Sequence, residues 1–324
     1  MKRRSILAAA AAACVVASGA WAQPAAYPSR TVTLVVPYAP GGLPDTVARV
    51  IGQKLSEKWG QAVVVENKPG GNGAVSAQAL AAKPADGYTL MVTDMSMFAI
   101  NPFVYPSLPY DPQKDFTFIS LTARAPLFLA VHPSVPANNF QEWIALAKSK
   151  PGELTYGSSG IGSIHHLTVE SIKSSLGVDL LHIPFKGTGQ SVPAVVAGQV
   201  SAVFSAYPSL AGVAKENKLK LIAVNSEKRS ALAPEILSIA ETSIAGFDFA
   251  PTIGFSGPAG VPDAIANKIA ADVADVIKDP ALVERLRVLG IDPIGSTPQQ
   301  YAAQIRADRE RYGRAVKLAN IKGE

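Results

Sequence analysis

The chain has 324 residues, of which 48% are hydrophobic and 17% charged, enough for a sizeable buried core and one to three domains. Three of its 30 basic residues, Lys2, Arg3 and Arg4, sit in a leader-like segment, leaving 27 against 25 acidic residues. That near-neutral remainder gives no basic footprint for nucleic acid, and no later run approaches the roughly 20 apolar residues of a spanning helix.

Residues 1–22 read as a secretory signal peptide. Three cations precede an alanine-rich apolar run, and Ala20-Trp21-Ala22 places small residues at cleavage spacing. Export is therefore expected, with cleavage near Ala22 and a mature chain from Gln23. Cys14, the only cysteine, lies within the apolar run and leaves with it. Disulfides, thiol chemistry and cysteine-held metals are excluded for the exported chain.

Beyond Tyr27, short β-branched runs alternate with helical patterns. "TVTLVV" (31–36) reads as a buried strand, and Val47, Val50, Ile51, Leu55 and Trp59 then recur at helical spacing. "AVVVEN" (62–67), "GAVSAQALAAK" (73–83) and "GYTLMVT" (87–93) continue as strand, helix and strand. A βαβαβ order predicts an α/β fold with a parallel sheet covered by helices on both faces. A second α/β unit follows, from "FTFISLTAR" and "PLFLAVHP" through the helix "SIHHLTVESIKSSLG", closed by Gly177, to the strands "VSAVFSA" and "LKLIAVNS". From Pro262 the chain reads as helical with no new strand. The terminal helices must then pack on an existing sheet, which implies crossings near 117–125 and 245–255. The expected division is residues 23–122 with 249–324 as lobe 1, and 123–248 as lobe 2.

Glycine concentrates at the strand-to-helix junctions: "PYAPGGLPD", "NKPGGNGA", "GSSGIGS" and "FKGTGQS", with "TDMSMF" a fifth junction after the third strand. A single such turn is explained by packing or capping. Several at one sheet edge favour an anion held by backbone N–H groups and helix N-termini. Catalytic and nucleotide motifs fit poorly. "YGSSGIG" has Ile161 where a nucleophile elbow needs glycine, "GIGSIH" ends in His165, and no G-x-x-x-x-G-K-[ST] occurs. No cofactor or catalytic residue is expected. His165 and His166 point about 100° apart on a helix, so they suit hydrogen bonding rather than a shared metal, and no metal site is expected. Asp45 suits a first-turn cap or the amino group of a zwitterionic ligand. Lys186 faces either cleft or solvent, and Arg306, Asp308, Arg309, Glu310 and Arg311 read as a solvated helix face.

The leader, "YPSRTVTLVVPYAPGGLPDTVARVIGQKLSEKWGQAVVVENKPGGNGAVSAQALAAKPADGYTLMV", "LTYGSSGIGSIHHL" and "IPFKGTGQSVPAVVAGQV" together resemble the Bug family, the solute receptors of tripartite tricarboxylate transporters. The likeness spans essentially the whole mature chain. It implies a two-lobed, flytrap-like periplasmic binding protein of type II that is not an enzyme, works in the periplasm, and partners the membrane components of a transporter; the sequence leaves the oligomeric state open, with a monomer as the default. It also implies an organic carboxylate ligand: a polycarboxylate, an aromatic acid or an acidic amino acid. Carried onto this sequence, Tyr38, Ala39, Gly41 and Gly42 would meet one carboxylate from the first lobe, with Asp45 beside them placed for a ligand's amino group. Ser158, Ser159, Gly162, Ser163 and Thr188 would meet it from the second, with Ser96 and Tyr207 at the pocket side. Leu43 and Pro44 depart from the small or polar residues frequent in the family at that place, and favour an aromatic or aliphatic acid over a polycarboxylate. Two other roles remain at this point: a ligand sensor for a signalling partner, and an exported hydrolase using Ser158 or Ser159 with His165 or His166.

Overall fold

The computed structural model describes residues 27–323, so the expected leader and its cleavage point lie outside the described residues. Strand β1 (Val32–Val36) is aliphatic and almost wholly buried, as a strand covered on both faces must be. It pairs in parallel with β2 (Val63–Asn67) and with β3 (Thr89–Asp94). Helix α1 (Leu43–Trp59) links β1 to β2 and buries Val47, Ala48, Ile51 and Leu55. Gly60 ends it in the left-handed conformation. Helix α2 (Ala74–Ala81) leads into β3. Strand β4 (Phe116–Arg124) completes the first pass.

The chain then builds a second sheet. Its elements are β5 (Leu127–Val131), α3 (Phe140–Ser149), β6 (Thr155–Ser158), α4 (Ile164–Leu176), β7 (Leu181–Pro184), α5 (Thr188–Val196), β8 (Ala202–Ala206), α6 (Tyr207–Lys215) and β9 (Lys220–Val224). It returns as β10 (Thr252–Pro258), followed by α7 (Asp263–Val276), α8 (Pro280–Arg287), β11 (Asp292–Pro293) and α9 (Pro298–Leu318). The sheet orders are β11-β4-β10-β3-β1-β2 and β7-β6-β8-β5-β9.

Both sheets are mixed, which corrects the expectation of a parallel sheet. Strand β10 runs antiparallel to β3 and β4, and β5 runs antiparallel to β8 and β9. The physical reason lies in the crossings. Strand β4 ends, and β5 begins, at the carboxyl edge of its own sheet; β9 ends and β10 begins in the same way. A strand that enters a sheet from its carboxyl edge must run against the strands already there. These two reversed strands lie between neighbours on both sides and are buried at every position.

Three further expectations are corrected. The terminal region does contain a strand, β11, whose two residues pair with Arg124 and Ala123 on the edge of β4. The expected boundary at 122/123 falls inside β4, which continues to Arg124. Asp308 is buried, 2% exposed, because it shares the α9 face that carries Tyr301, Ile305 and Tyr312. Gln304 donates to its Oδ1 at 3.1 Å, and Arg309 reaches the Phe98 carbonyl at 2.9 Å.

Asn225, fully buried, ties the two crossings together. Its Oδ1 accepts from Leu127 N–H at 2.7 Å and its own N–H donates to the Leu127 carbonyl at 2.9 Å. Its Nδ2 donates to the Phe249 carbonyl at 2.9 Å, and Phe249 N–H donates back to the Asn225 carbonyl at 2.8 Å. Asn225→Ala leaves the buried Leu127 N–H and the partly buried Phe249 carbonyl without these partners and is expected to lower the unfolding free energy by about 2 kcal/mol. Urea denaturation checks this, and a loss below about 0.5 kcal/mol, the size of an inert surface change, would overturn it.

Candidate functional site

The carboxyl edges of the two sheets face each other, and the glycine-rich junctions meet there. Gly41 takes φ +87, which leaves β1 sharply, and Pro44 sits in the first turn of α1. The first junction touches the second sheet's loops directly. Ala39 N–H donates to the Lys186 carbonyl at 2.9 Å, and the Ser209 hydroxyl donates to the Gly41 carbonyl at 2.7 Å. Gly189 lies against Pro40 so closely that a Cβ there would fall 1.9 Å from the Pro40 oxygen. On the other flank Ile164 N–H donates to Ser96 Oγ at 3.0 Å, and the Tyr105 hydroxyl to the Ile161 carbonyl at 2.8 Å.

Between these contacts lies a cavity of about 10 Å³, lined by Tyr38, Gly42, Leu43, Pro44, Asp94, Leu127, Ser159, His165, Thr188, Ala206, Pro251 and Ile253. That is room for about one water molecule. Among the described residues, its lining includes no lysine or arginine.

The structure brings Tyr38, Gly42, Ser159 and Thr188 to this cavity and uses the other expected residues nearby. Ala39 serves the cross-sheet backbone bond. Gly41 N–H donates to Asp45 Oδ2 at 2.9 Å, and Asp45 also receives Arg49 and Asn67, so its oxygens are engaged away from the cavity. Burial alone would raise the Asp45 carboxyl, but those hydrogen bonds outweigh it and hold the group below the usual carboxylate range. Ser96 is taken up by Ile164. Ser158 is fully buried, with its Oγ 2.6 Å from His182 Nε2. Gly162 N–H donates to His166 Nδ1 at 3.2 Å, and Ser163 caps α4 by accepting from His166 N–H at 3.3 Å. Tyr207 packs on Phe128, with ring centres 5.6 Å apart. Lys186 is exposed.

Sequence reasoning missed Asp94, Leu127, Ala206, Pro251 and Ile253. Asp94 was legible in principle, as a carboxylate ending a buried strand at the carboxyl edge within the very segment from which Ser96 was chosen. Its Oδ1 accepts from the Tyr38 hydroxyl at 3.2 Å and from Ser96 N–H at 2.7 Å. Burial pushes the Asp94 carboxyl upward against these bonds, and burial beside Asp94 raises the Tyr38 phenol. The apolar lining residues carry no sequence signal that separates them from ordinary core.

Beneath the "GSSGIGS" loop the rings of His166 and His182 stack at 4.0 Å, and Tyr156 stacks on His182 at 4.8 Å. Burial depresses His165 to about 4. Burial, with Lys173 nearby, takes His166 to about 4. His182 falls to about 3 through burial, His166 and Lys173, with Glu170 opposing. All three imidazoles are neutral near pH 7.

A larger cavity of about 520 Å³ opens where the crossings meet α8 and is lined by Arg124, Lys228, Arg229, Asp248, Arg287 and Asp292 among others. Its arginines are already paired, Arg124 with Asp248 at 2.6 Å, Arg229 with Glu241 at 3.0 Å and Arg287 with Glu284 at 2.7 Å. The glycine junctions do not reach it.

Residues 47–321 match the family model described as tripartite tricarboxylate transporter family receptor. The chain belongs to that receptor family. The receptor is 35% identical over 97% of its length to a Cupriavidus necator protein described as the UPF0065 protein in the gbd 5' region, covering 94% of that relative. It is similar to R. palustris Rpa4515, solved with adipate, at 33% identity and TM-score 0.89, covering 91% of the receptor and 99% of that chain. It also resembles the periplasmic binding protein BugD at 28% identity and TM-score 0.87, covering 92% of the receptor and all of that chain. These relatives bear out the two-lobed α/β architecture.

Two outcomes follow from the packing. Gly189→Ala suits the helical backbone of α5 but forces the Pro40 and Gly189 loops apart by at least ~1 Å to restore van der Waals contact. A radius of gyration larger than the parent's is expected by X-ray scattering, and an unchanged value would count against direct cross-lobe closure at this point. The histidines act through proton linkage. Each folded value lies below the ordinary 6.5, so the unfolded chain takes up protons that the folded one refuses as pH falls. Their contribution is fully present above about pH 7 and is lost progressively towards pH 4. The unfolding midpoint should therefore fall between pH 7 and pH 5, with a shallower fall in His182→Gln. An identical slope in both proteins would refute the assignment.

Proposed function

We propose that this protein is an extracytoplasmic solute receptor that captures a small organic carboxylate between two lobes and presents it to the membrane components of a tripartite tricarboxylate transporter. The observation that carries this reading is the convergence of glycine-rich strand-to-helix junctions from both sheets on one cavity. Backbone N–H groups and helix N-termini suit an anion there without a bound cation. Family membership supports the transport role, and the adipate bound to Rpa4515 supports the carboxylate class.

One lobe comprises residues up to about 124 together with those from about 252, and the other the residues between. A cavity of about 10 Å³ cannot take an organic acid, since ligand pockets are typically ~300 Å³ or more. Loading therefore requires the lobes to part about the crossings that Asn225 ties, and the cross-lobe hydrogen bonds form again on closure. The receptor acts as a monomer, after export and removal of residues 1–22. It performs no chemistry on its ligand: Ser158, whose Oγ is engaged by His182, is not among the residues that line the cavity.

Thermal unfolding of residues 23–324 against di- and tricarboxylates, aromatic acids and acidic amino acids tests the reading. An acid held at about 100 times its Kd adds about 2.7 kcal/mol of stability and raises the midpoint. If no acid raises it, and native mass spectrometry finds no ligand already held, the receptor reading fails.

A further inference from the structure

Two side chains in the cleft exceed what an anion cage requires. Asp94 places a carboxyl group in the lining of the very cavity that is to hold an anion. It is 3% exposed, and its Oδ1 takes donors from Tyr38 at 3.2 Å and Ser96 at 2.7 Å. Burial, the larger effect, favours the neutral form of the group, and the two donors on one oxygen oppose it. His165 lines the same cavity, is 8% exposed, and its Nδ1 has no hydrogen-bond partner among the described residues. A buried, unpartnered ring nitrogen is costly unless something bonds to it. Much of the remaining lining is apolar, with Leu43, Leu127, Pro251 and Ile253 among it.

A ligand bearing two carboxylates would set its second charge near Asp94 in a low-dielectric space with no lysine or arginine in the lining to offset it. A ligand offering Asp94 a hydrogen-bond donor meets no such penalty.

Building on the carboxylate-receptor reading, we propose that Asp94 and His165 read the ligand: it carries a single carboxylate, an apolar body, and a hydroxyl or amino group that donates to Asp94, while His165 Nδ1 gains its missing hydrogen bond from the same molecule. Asp94 thereby discriminates against dicarboxylates of equal length. Burial, which pushes the Asp94 carboxyl upward, makes an incoming donor the more valuable, because it stabilises the ionised form.

Titration calorimetry on the mature protein tests this with acids of four to eight carbons. At each length the probes are the unsubstituted monocarboxylate, its 2-hydroxy, ω-hydroxy and ω-amino derivatives, and the α,ω-dicarboxylate. At some length a hydroxy or amino acid should bind at least tenfold tighter than the dicarboxylate. Asp94→Asn should reduce that ratio at least tenfold, mostly by tightening the dicarboxylate, and His165→Phe should weaken the preferred acid at least tenfold. A dicarboxylate that binds the parent protein as tightly as every hydroxy and amino acid of its length overturns the proposal without recourse to a variant. So does a folded Asp94→Asn protein with an unchanged ratio. If no acid of any class binds here or in the wider thermal panel, the carboxylate-receptor reading falls first, and this inference with it.

Discussion

The reversal of β5 and β10 within their sheets is the constraint on which the site depends. Each of these strands arrives from the other sheet, and each must begin where the parallel strands end. Both crossings are thereby pinned to the carboxyl edges, and the two edges are brought face to face. The glycine junctions lie at those edges because turns from parallel strands into helices can lie nowhere else. Asn225 then fixes the spacing, since its side chain and backbone hold the start of β5 and the segment before β10 in one hydrogen-bonded unit.

The electrostatic character of the cleft follows from the same geometry. Junctions that close on each other through Ala39, Gly41, Lys186 and Gly189 leave little width for long cationic side chains. The anion itself is left to backbone dipoles and short hydroxyls, which carry a modest desolvation cost, and the side-chain code rests with Asp94 and His165 in the lining. His165, a neutral imidazole in the lining, adds polarity without net charge.

Much of the architecture was legible in the sequence because its signals are local. "TVTLVV" is a buried strand by composition, Gly177 ends α4 as a left-handed cap, and the first-turn position of Asp45 suited the bonds it makes. Strand direction was not legible, because a crossing between sheets leaves no periodicity in the chain. Strand β11 was hidden by its length of two residues and by Pro293. Asp308 was assigned by its charged neighbours, although its spacing from Ile305 and Tyr312 placed it inside. In the site, glycine and serine marked the loops, but which of them reach the cavity depends on how the two edges interlock, and Asp94 was passed over for the serine two residues on.

The place of β10 also shapes how the molecule assembles. The second sheet is built from one uninterrupted stretch, residues 127–224, and needs nothing from either flank to pair its strands. The first sheet has a gap between β3 and β4 that only residues 252–258 can fill. Its long-range pairing, across more than a hundred residues, demands a large loop closure, which is slow. The amino-terminal sheet, though made first, cannot be completed until residues 252–258 have returned to it.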